Sequence, residues 1–255
     1  MKTLRFIGMA LFAILMCVNL ASCSSSGDDP TEEKEEGGVV VNSKKIIKMT
    51  NESEKWGRYT YTFSYDTKGR LTEATNSHNG ESYSNYSVVW GDDAIMVYHE
   101  NGSKTTYSLE NNLVQTNNID EIYTYNKSNR IVKIEEDGGT HNYIWEGDKL
   151  MSTSFDDGYS SFTRILSYGK SCKGYFPNIA IMVWDDYCLY MAHPELIGAR
   201  TNQLPTSETW TYISTREKEN VTMTYTYEFD KEGYVTNITA KGTDGSTETY
   251  SITWQ

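Results

Sequence analysis

The sequence predicts an all-β protein: an antiparallel meander curled into a barrel-like or half-open shell, with one short helical insert. Three observations carry this reading. Long stretches alternate aromatic and hydroxyl side chains with a period of two. A turn of fixed chemistry recurs between such stretches. Twenty tyrosines stand against only four prolines in 255 residues, a balance that suits a large sheet.

The first element precedes the fold. Lys2 and Arg5 come before an apolar run from Phe6 to Val18, and Leu20-Ala21-Ser22-Cys23 closes it with small residues ahead of a cysteine. Charged, apolar and small-residue regions in that order make residues 1–22 a signal peptide. The ending resembles the lipobox of bacterial lipoprotein precursors. That resemblance implies that Cys23 is acylated and becomes the mature N-terminus. Cleavage there leaves 233 residues and removes Lys2 and Arg5, taking the net charge from −12 to −14. A field of that sign repels nucleic acid and anionic headgroups. The expected membrane contact is therefore the N-terminal lipid anchor, and nucleic acid is not an expected partner. No later run approaches the roughly 18 apolar residues of a membrane helix.

Residues 23–40 read as a lipidated tether. From Ser24 to Gly38 the chain runs SSSGDDPTEEKEEGG, too polar and too charged to bury a core. Asp28, Asp29, Glu32 and Glu33 resemble the export signal of Bacteroidetes-type surface lipoproteins. This implies an outer-membrane lipoprotein displayed at the surface, with the periplasmic face as the alternative.

Residues 41–255 form the single β-meander domain. Tyr59, Tyr61, Phe63 and Tyr65 alternate with Thr60, Thr62 and Ser64. Val221, Met223, Tyr225, Tyr227 and Phe229 alternate with Thr222, Thr224, Thr226 and Glu228. Such strands bury one face and wet the other.

The strands repeat as a unit. Tyr65-Asp66-Thr67-Lys68-Gly69-Arg70-Leu71 parallels Tyr125-Asn126-Lys127-Ser128-Asn129-Arg130-Ile131 and Phe229-Asp230-Lys231-Glu232-Gly233-Tyr234-Val235. In each, an aromatic ends a strand and Asp or Asn opens the turn. Gly or Asn takes the left-handed position, and an aliphatic starts the return. Trp90 and Trp254 each follow their aliphatic by 19 residues, while the middle copy closes earlier, at Trp145. Internal repetition of this kind predicts a meander of about ten or more strands built from hairpins. It also predicts that Trp90, Trp145 and Trp254 share one buried face. Trp56 and Trp210 fall outside the register and are freer to be exposed. The unit resembles the YD repeat of secreted bacterial shell proteins, which implies a β-shell scaffold with no active site attached to the motif. A membrane-spanning barrel is the competing architecture, since its strands alternate too.

One segment breaks the rhythm. Asn178 to Ala192 is apolar and free of turn residues, with Pro177 before it and Pro194 after it. It reads as a buried helix within an insert at about 175–198, although Ile179, Ile181 and Val183 would also alternate as a strand. Gly198, Asn202, Leu204 and Pro205 follow as a Gly-x-x-x-Asn-x-Leu-Pro turn. Helical insert, this turn, a tyrosine-rich meander and a lipobox together resemble the Bacteroidetes lipoproteins of unknown function described as porin-like. The resemblance implies an architecture and leaves the activity open.

Catalytic motifs do not emerge. Nucleophile-elbow, zinc-protease and phosphate-loop patterns are lacking. Ser167-Tyr168-Gly169-Lys170 fits Ser-x-x-Lys only formally, because it lies in a strand-like run. His78, His99, His141 and His193 lack metal-ligand spacing, so no metal and no cofactor is expected. Asp92-Asp93 and Asp156-Asp157 sit beside Gly91 and Gly158 as turn residues. Asp185-Asp186 interrupts the apolar insert. Trp184, Asp186, Tyr187 and Tyr190 are accordingly the candidate ligand-binding residues, with a glycan or a protein as the ligand. Cys172 and Cys188 remain outside the signal peptide and lipobox, either as a disulfide or as two separately buried thiols. The function these features favour is a lipid-anchored, non-catalytic binding or surface-presentation module. A carboxylate-based glycoside hydrolase using Asp185 or Asp186 and a purely structural envelope component are the alternatives.

Overall fold

A computed structural model of the chain describes residues 44–176, 187–215 and 217–255. Signal peptide, Cys23 and tether lie outside these residues, as do Trp184, Asp185 and Asp186. Sixteen antiparallel strands form one closed barrel, each paired with its sequence neighbours and the first with the last. They are β1 (Ile46–Ser53), β2 (Gly57–Tyr65), β3 (Leu71–His78), β4 (Glu81–Trp90), β5 (Ala94–His99) and β6 (Lys104–Glu110). Then come β7 (Leu113–Asn117), β8 (Ile122–Tyr125), β9 (Ile131–Glu136), β10 (Gly139–Glu146) and β11 (Lys149–Asp156). The last are β12 (Ser160–Ser171), β13 (Gln203–Ser214), β14 (Lys218–Phe229), β15 (Val235–Gly242) and β16 (Thr247–Trp254). Closure settles the choice between shell and barrel: β1 pairs with β16 from Ile46↔Trp254 to Ser53↔Glu248, leaving no open edge.

The hairpin repeat of the sequence has a bonding counterpart that recurs around the barrel. Each odd-numbered strand begins with an inward aliphatic that is almost wholly buried: Ile46, Leu71, Ile95, Val114, Ile131, Leu150, Leu204 and Val235. Near the end of most even-numbered strands an inward Tyr or Trp donates a hydrogen bond to the backbone carbonyl at the start of the preceding odd strand. Tyr65 bonds Ile46, Trp90 bonds Leu71 and Tyr125 bonds Val114. Trp145 bonds Ile131, Tyr168 bonds Leu150, Tyr227 bonds Pro205 and Trp254 bonds Val235. All lie between 2.5 and 2.8 Å. Trp90, Trp145 and Trp254 therefore do face one way, but they are half-buried. They form part of a rim and not the centre of the core. A typical bond of this kind contributes about 0.5–1.5 kcal/mol net.

The three sequence-similar turns are built alike. Oδ1 of Asp66 accepts from the amides of Lys68 and Arg70, Asn126 from Ser128 and Arg130, and Asp230 from Glu232 and Tyr234. Only an acceptor oxygen is required there, which is why Asn replaces Asp. Gly69, Asn129 and Gly233 hold positive φ of 73°, 55° and 94°, a region Gly and Asn enter at low cost. The next side chain packs on the tryptophan of its own copy: Arg70 on Trp90, Arg130 on Trp145, Tyr234 against Trp254.

These turns crowd one end of the barrel, and the β12–β13 connection plugs that same end. Its described part is shorter than the sequence suggested: helix α1 spans Tyr187–Ala192, and a 3-10 turn spans Pro194–Ile197. Leu189, Met191, Ala192, Leu196 and Ile197 are buried against the aliphatic ring. His193 ties plug to wall. The Leu71 amide donates to its Nε2 at 3.0 Å, so Nδ1 carries the proton and donates to Glu195 at 2.8 Å. Gly198 ends the 3-10 turn at φ 60°, where a Cβ would meet the Asn129 carbonyl oxygen at 1.8 Å. Arg130 seals this approach by donating to the carbonyls of Gly198 and Arg200 and pairing with Asp148.

Outward positions are of the opposite character. Thr222, Thr224, Thr226 and Glu228 of β14 and Thr249, Ser251 and Thr253 of β16 face away from the lumen. Ile144 and Ile165 are exposed too, with Ser152 between them in register and Thr209 beside Ile165. These two isoleucines thus lie among hydroxyls, while Val89, Met96 and Tyr98 form a small outward apolar group on β4 and β5.

Candidate functional site

The lumen is filled at the plug end and open at the other, where the hairpins β1–β2, β13–β14 and β15–β16 turn. A cavity of about 280 Å³ lies there. β12, β13 and β14 run 12 residues each, against 5 and 4 for β7 and β8, so the wall stands taller on this side. β14 points Met223 and Tyr225 inward and β16 points Glu248 and Tyr250 inward; Ala240 of β15 between them is packed under Val221 and Met223, and Gly242 is crowded by Asp244, Ser246 and Met223.

Its walls combine aromatic faces with charged groups already engaged. Phe162 and Trp210 lie with ring centroids 6.2 Å apart, and Arg164 sits 5.0 Å above the Phe162 ring. The guanidinium is 4.0 Å from Glu208, a buried carboxylate that also hydrogen-bonds Tyr225. Burial, reinforced by the Glu208 charge, holds the Tyr225 hydroxyl far above the usual phenol range, so it stays neutral. Tyr250 donates to Glu248 at 2.5 Å. At the rim, Asp244 accepts from the Ser246 hydroxyl and amide, which lower its carboxyl below the usual range. Trp56, exposed to 58%, stands opposite with Lys55 4.8 Å over its ring.

The residues singled out in the insert are placed differently. Trp184 and Asp186 lie outside the described residues. Tyr187 opens α1. Tyr190 is buried: its hydroxyl meets that of Tyr123 at 3.0 Å, and Tyr123 donates to Glu121, which also accepts from Asn117. Its ring crosses Tyr107 edge-on at 5.9 Å. Tyr190 anchors the plug to the wall of β6–β8 and does not line an opening. Cys172 and Cys188 are both buried and carry no disulfide, the second of the two alternatives. Burial pushes the Cys172 thiol up to about 11. The plug end also carries a shallow groove of about 440 Å³ between the β6–β7 and β8–β9 turns, whose Arg130 is spent on latching the plug. The described residues hold no group of three or more His, Cys, Asp or Glu side chains able to bind a metal ion, and none of their helices is long and apolar enough to cross a membrane.

No family model matches the chain, and no curated protein matches it. Solved structures do. A porin-like protein from Bacteroides uniformis is similar with a TM-score of 0.59 at 17% identity, over 82% of this chain and 98% of that one. A porin-like protein from Bacteroides vulgatus is similar with a TM-score of 0.54 at 11% identity, over 84% of this chain and 99% of that one. At these identities the shared property is the barrel fold. The closed antiparallel meander is thus a porin-like β fold.

Proposed function

We propose that this protein is a lipid-anchored, non-catalytic binding module of the outer membrane, its barrel standing in water at the cell surface and not piercing the bilayer. The observation that carries the reading is the polarity of the wall. A transmembrane barrel turns an apolar band about 25 Å tall toward lipid and keeps a polar lumen. Here Thr, Ser and Glu line the outside of β14 and β16, while the aliphatic ring and the plug fill one end of the inside. Burying those outward hydroxyls and carboxylates in hydrocarbon without partners would cost several kcal/mol each. The lipobox ending at Cys23 supplies the membrane contact that the wall does not. The engaged carboxylates of the open cavity suit binding better than acid–base turnover.

Two measurements test this. Metabolic labelling with a palmitate analogue marks the protein, and Cys23→Ala abolishes the mark. The purified protein adds no stepwise conductance to a planar lipid bilayer. Label that survives the substitution overturns the anchor, and single-channel steps overturn the water-exposed barrel.

A further inference from the structure

We infer that the open-end cavity is a binding site for a neutral saccharide of one or two rings. The inference rests on the barrel being a water-exposed binding module and names the ligand class of that module. Its volume, about 280 Å³, lies just below the usual range of ligand pockets, which starts at about 300 Å³. That suits a compact ligand and excludes a folded protein partner inside it.

Charge decides the class. Arg164 faces Glu208 at 4.0 Å, and the positive charge of Lys55 bears on Asp244. Glu248, the third carboxylate of the lining, accepts from the Tyr250 hydroxyl; a charged ligand would still meet both signs side by side and gain little. A cation is further disfavoured because Arg164 and Lys55 already sit over the Phe162 and Trp56 rings. A purely apolar ligand would strip water from these charges without replacing its hydrogen bonds. A sugar hydroxyl both donates and accepts, so one ring satisfies carboxylate and guanidinium together. Its carbon–hydrogen faces lie flat on indole, and Trp210 inside and Trp56 at the rim offer such faces.

The test uses the purified full-length protein in a detergent without a sugar headgroup. Glucose, galactose, mannose, N-acetylglucosamine, maltose and cellobiose are titrated by calorimetry and tryptophan fluorescence, beside glucuronate and glucosamine as charged counterparts. Saturable binding of at least one neutral member is expected, with glucuronate and glucosamine weaker. Trp210→Ala and Trp56→Ala should each weaken it about three- to tenfold. Tyr159→Ala, 84% exposed and outside the cavity, should not. Trp56 is a rim residue, so its variant remains informative should Trp210→Ala fail to fold. The inference is overturned by no neutral saccharide binding to a protein that melts normally, by preference for a charged sugar, or by binding that ignores both tryptophans. None of these outcomes touches the palmitate or conductance results, so the module reading stands or falls separately.

Discussion

Replacing Trp90 by Phe probes the rim of aromatic-to-carbonyl bonds most directly. Leu71 is a hub: its carbonyl accepts from Trp90 Nε1 at 2.8 Å, and its amide donates to His193 of the plug at 3.0 Å. The Trp90 ring also meets His193 edge-on at 5.1 Å. Phe keeps part of that ring contact and removes the donor. Loss of the bond costs about 0.5–1.5 kcal/mol net, and a carbonyl left short of a partner raises this toward about 1–3 kcal/mol. The site is half-buried, so about 1–2 kcal/mol is expected for Trp90→Phe. Trp90→Ala adds a cavity and should reach about 3–5 kcal/mol. For a chain of this size, 1 kcal/mol moves the melting point by about 2–4 °C, so Phe should lower it by about 2–8 °C. Thermal and urea unfolding followed by far-UV circular dichroism measure both variants, with Trp56→Ala expected within about 0.5 kcal/mol of the parent. A Trp90→Phe protein as stable as the parent, or a Trp56→Ala protein as damaged as Trp90→Ala, would refute the rim as a source of stability.

Two further outcomes follow from the plug and the turns. Burial, the largest single influence, works upward on the Glu195 carboxyl, but the hydrogen bond from His193, a backbone hydrogen bond and the nearby Lys45 charge together hold it below the ordinary value of 4.5. A depressed carboxyl contributes stability that is present above 4.5 and is lost as pH falls through its lower folded value. Glu195→Gln should therefore melt lower than the parent at neutral pH, with the gap closing under acid; a gap constant with pH would show that the ionised carboxylate gains nothing from the His193 Nδ1–H. At the first turn, Asp66→Asn should melt only slightly below the parent, because it keeps the backbone bonding that Asn126 also performs and loses only the exposed ion pair with Arg70, whereas Asp66→Ala should melt measurably lower. Equal losses from both substitutions would mean that the negative charge, and not the acceptor oxygen, is what the turn requires.

Much of the architecture is written locally. Alternation of Tyr59, Tyr61, Phe63 and Tyr65 with hydroxyls assigns lumen and exterior, because side chains in a strand point to opposite faces in turn. Three turns are legible because their bonding is confined to residues a few positions apart, as with Asp66, Lys68 and Arg70. The rim bonds of Tyr65, Tyr125, Tyr168 and Tyr227 carry no such mark, since each donor meets a carbonyl on another strand 11 to 22 residues away. Trp56 and Trp210 could be separated from the rim tryptophans by register alone, and both prove to line the open cavity.

Other features exist only once distant strands meet. Closure depends on Ile46 reaching Trp254, a pairing across the whole chain that leaves no trace in either strand. The same holds for the cavity, whose lining joins Trp56 after β1 to Phe162, Trp210, Tyr225 and Tyr250 from strands far apart in sequence. Apolar character drew attention to the insert, but apolarity cannot separate a residue that lines an opening from one that fills it. For Tyr190 the decision came from Tyr123 and Glu121, more than sixty residues away in sequence, whose hydroxyl and carboxylate take up its polar end inside the wall. Sequence alone thus determined strand polarity and turn chemistry, both of which act over a few bonds. The tertiary structure decided closure, plug and cavity, because those are set by which side chains face one another across the lumen.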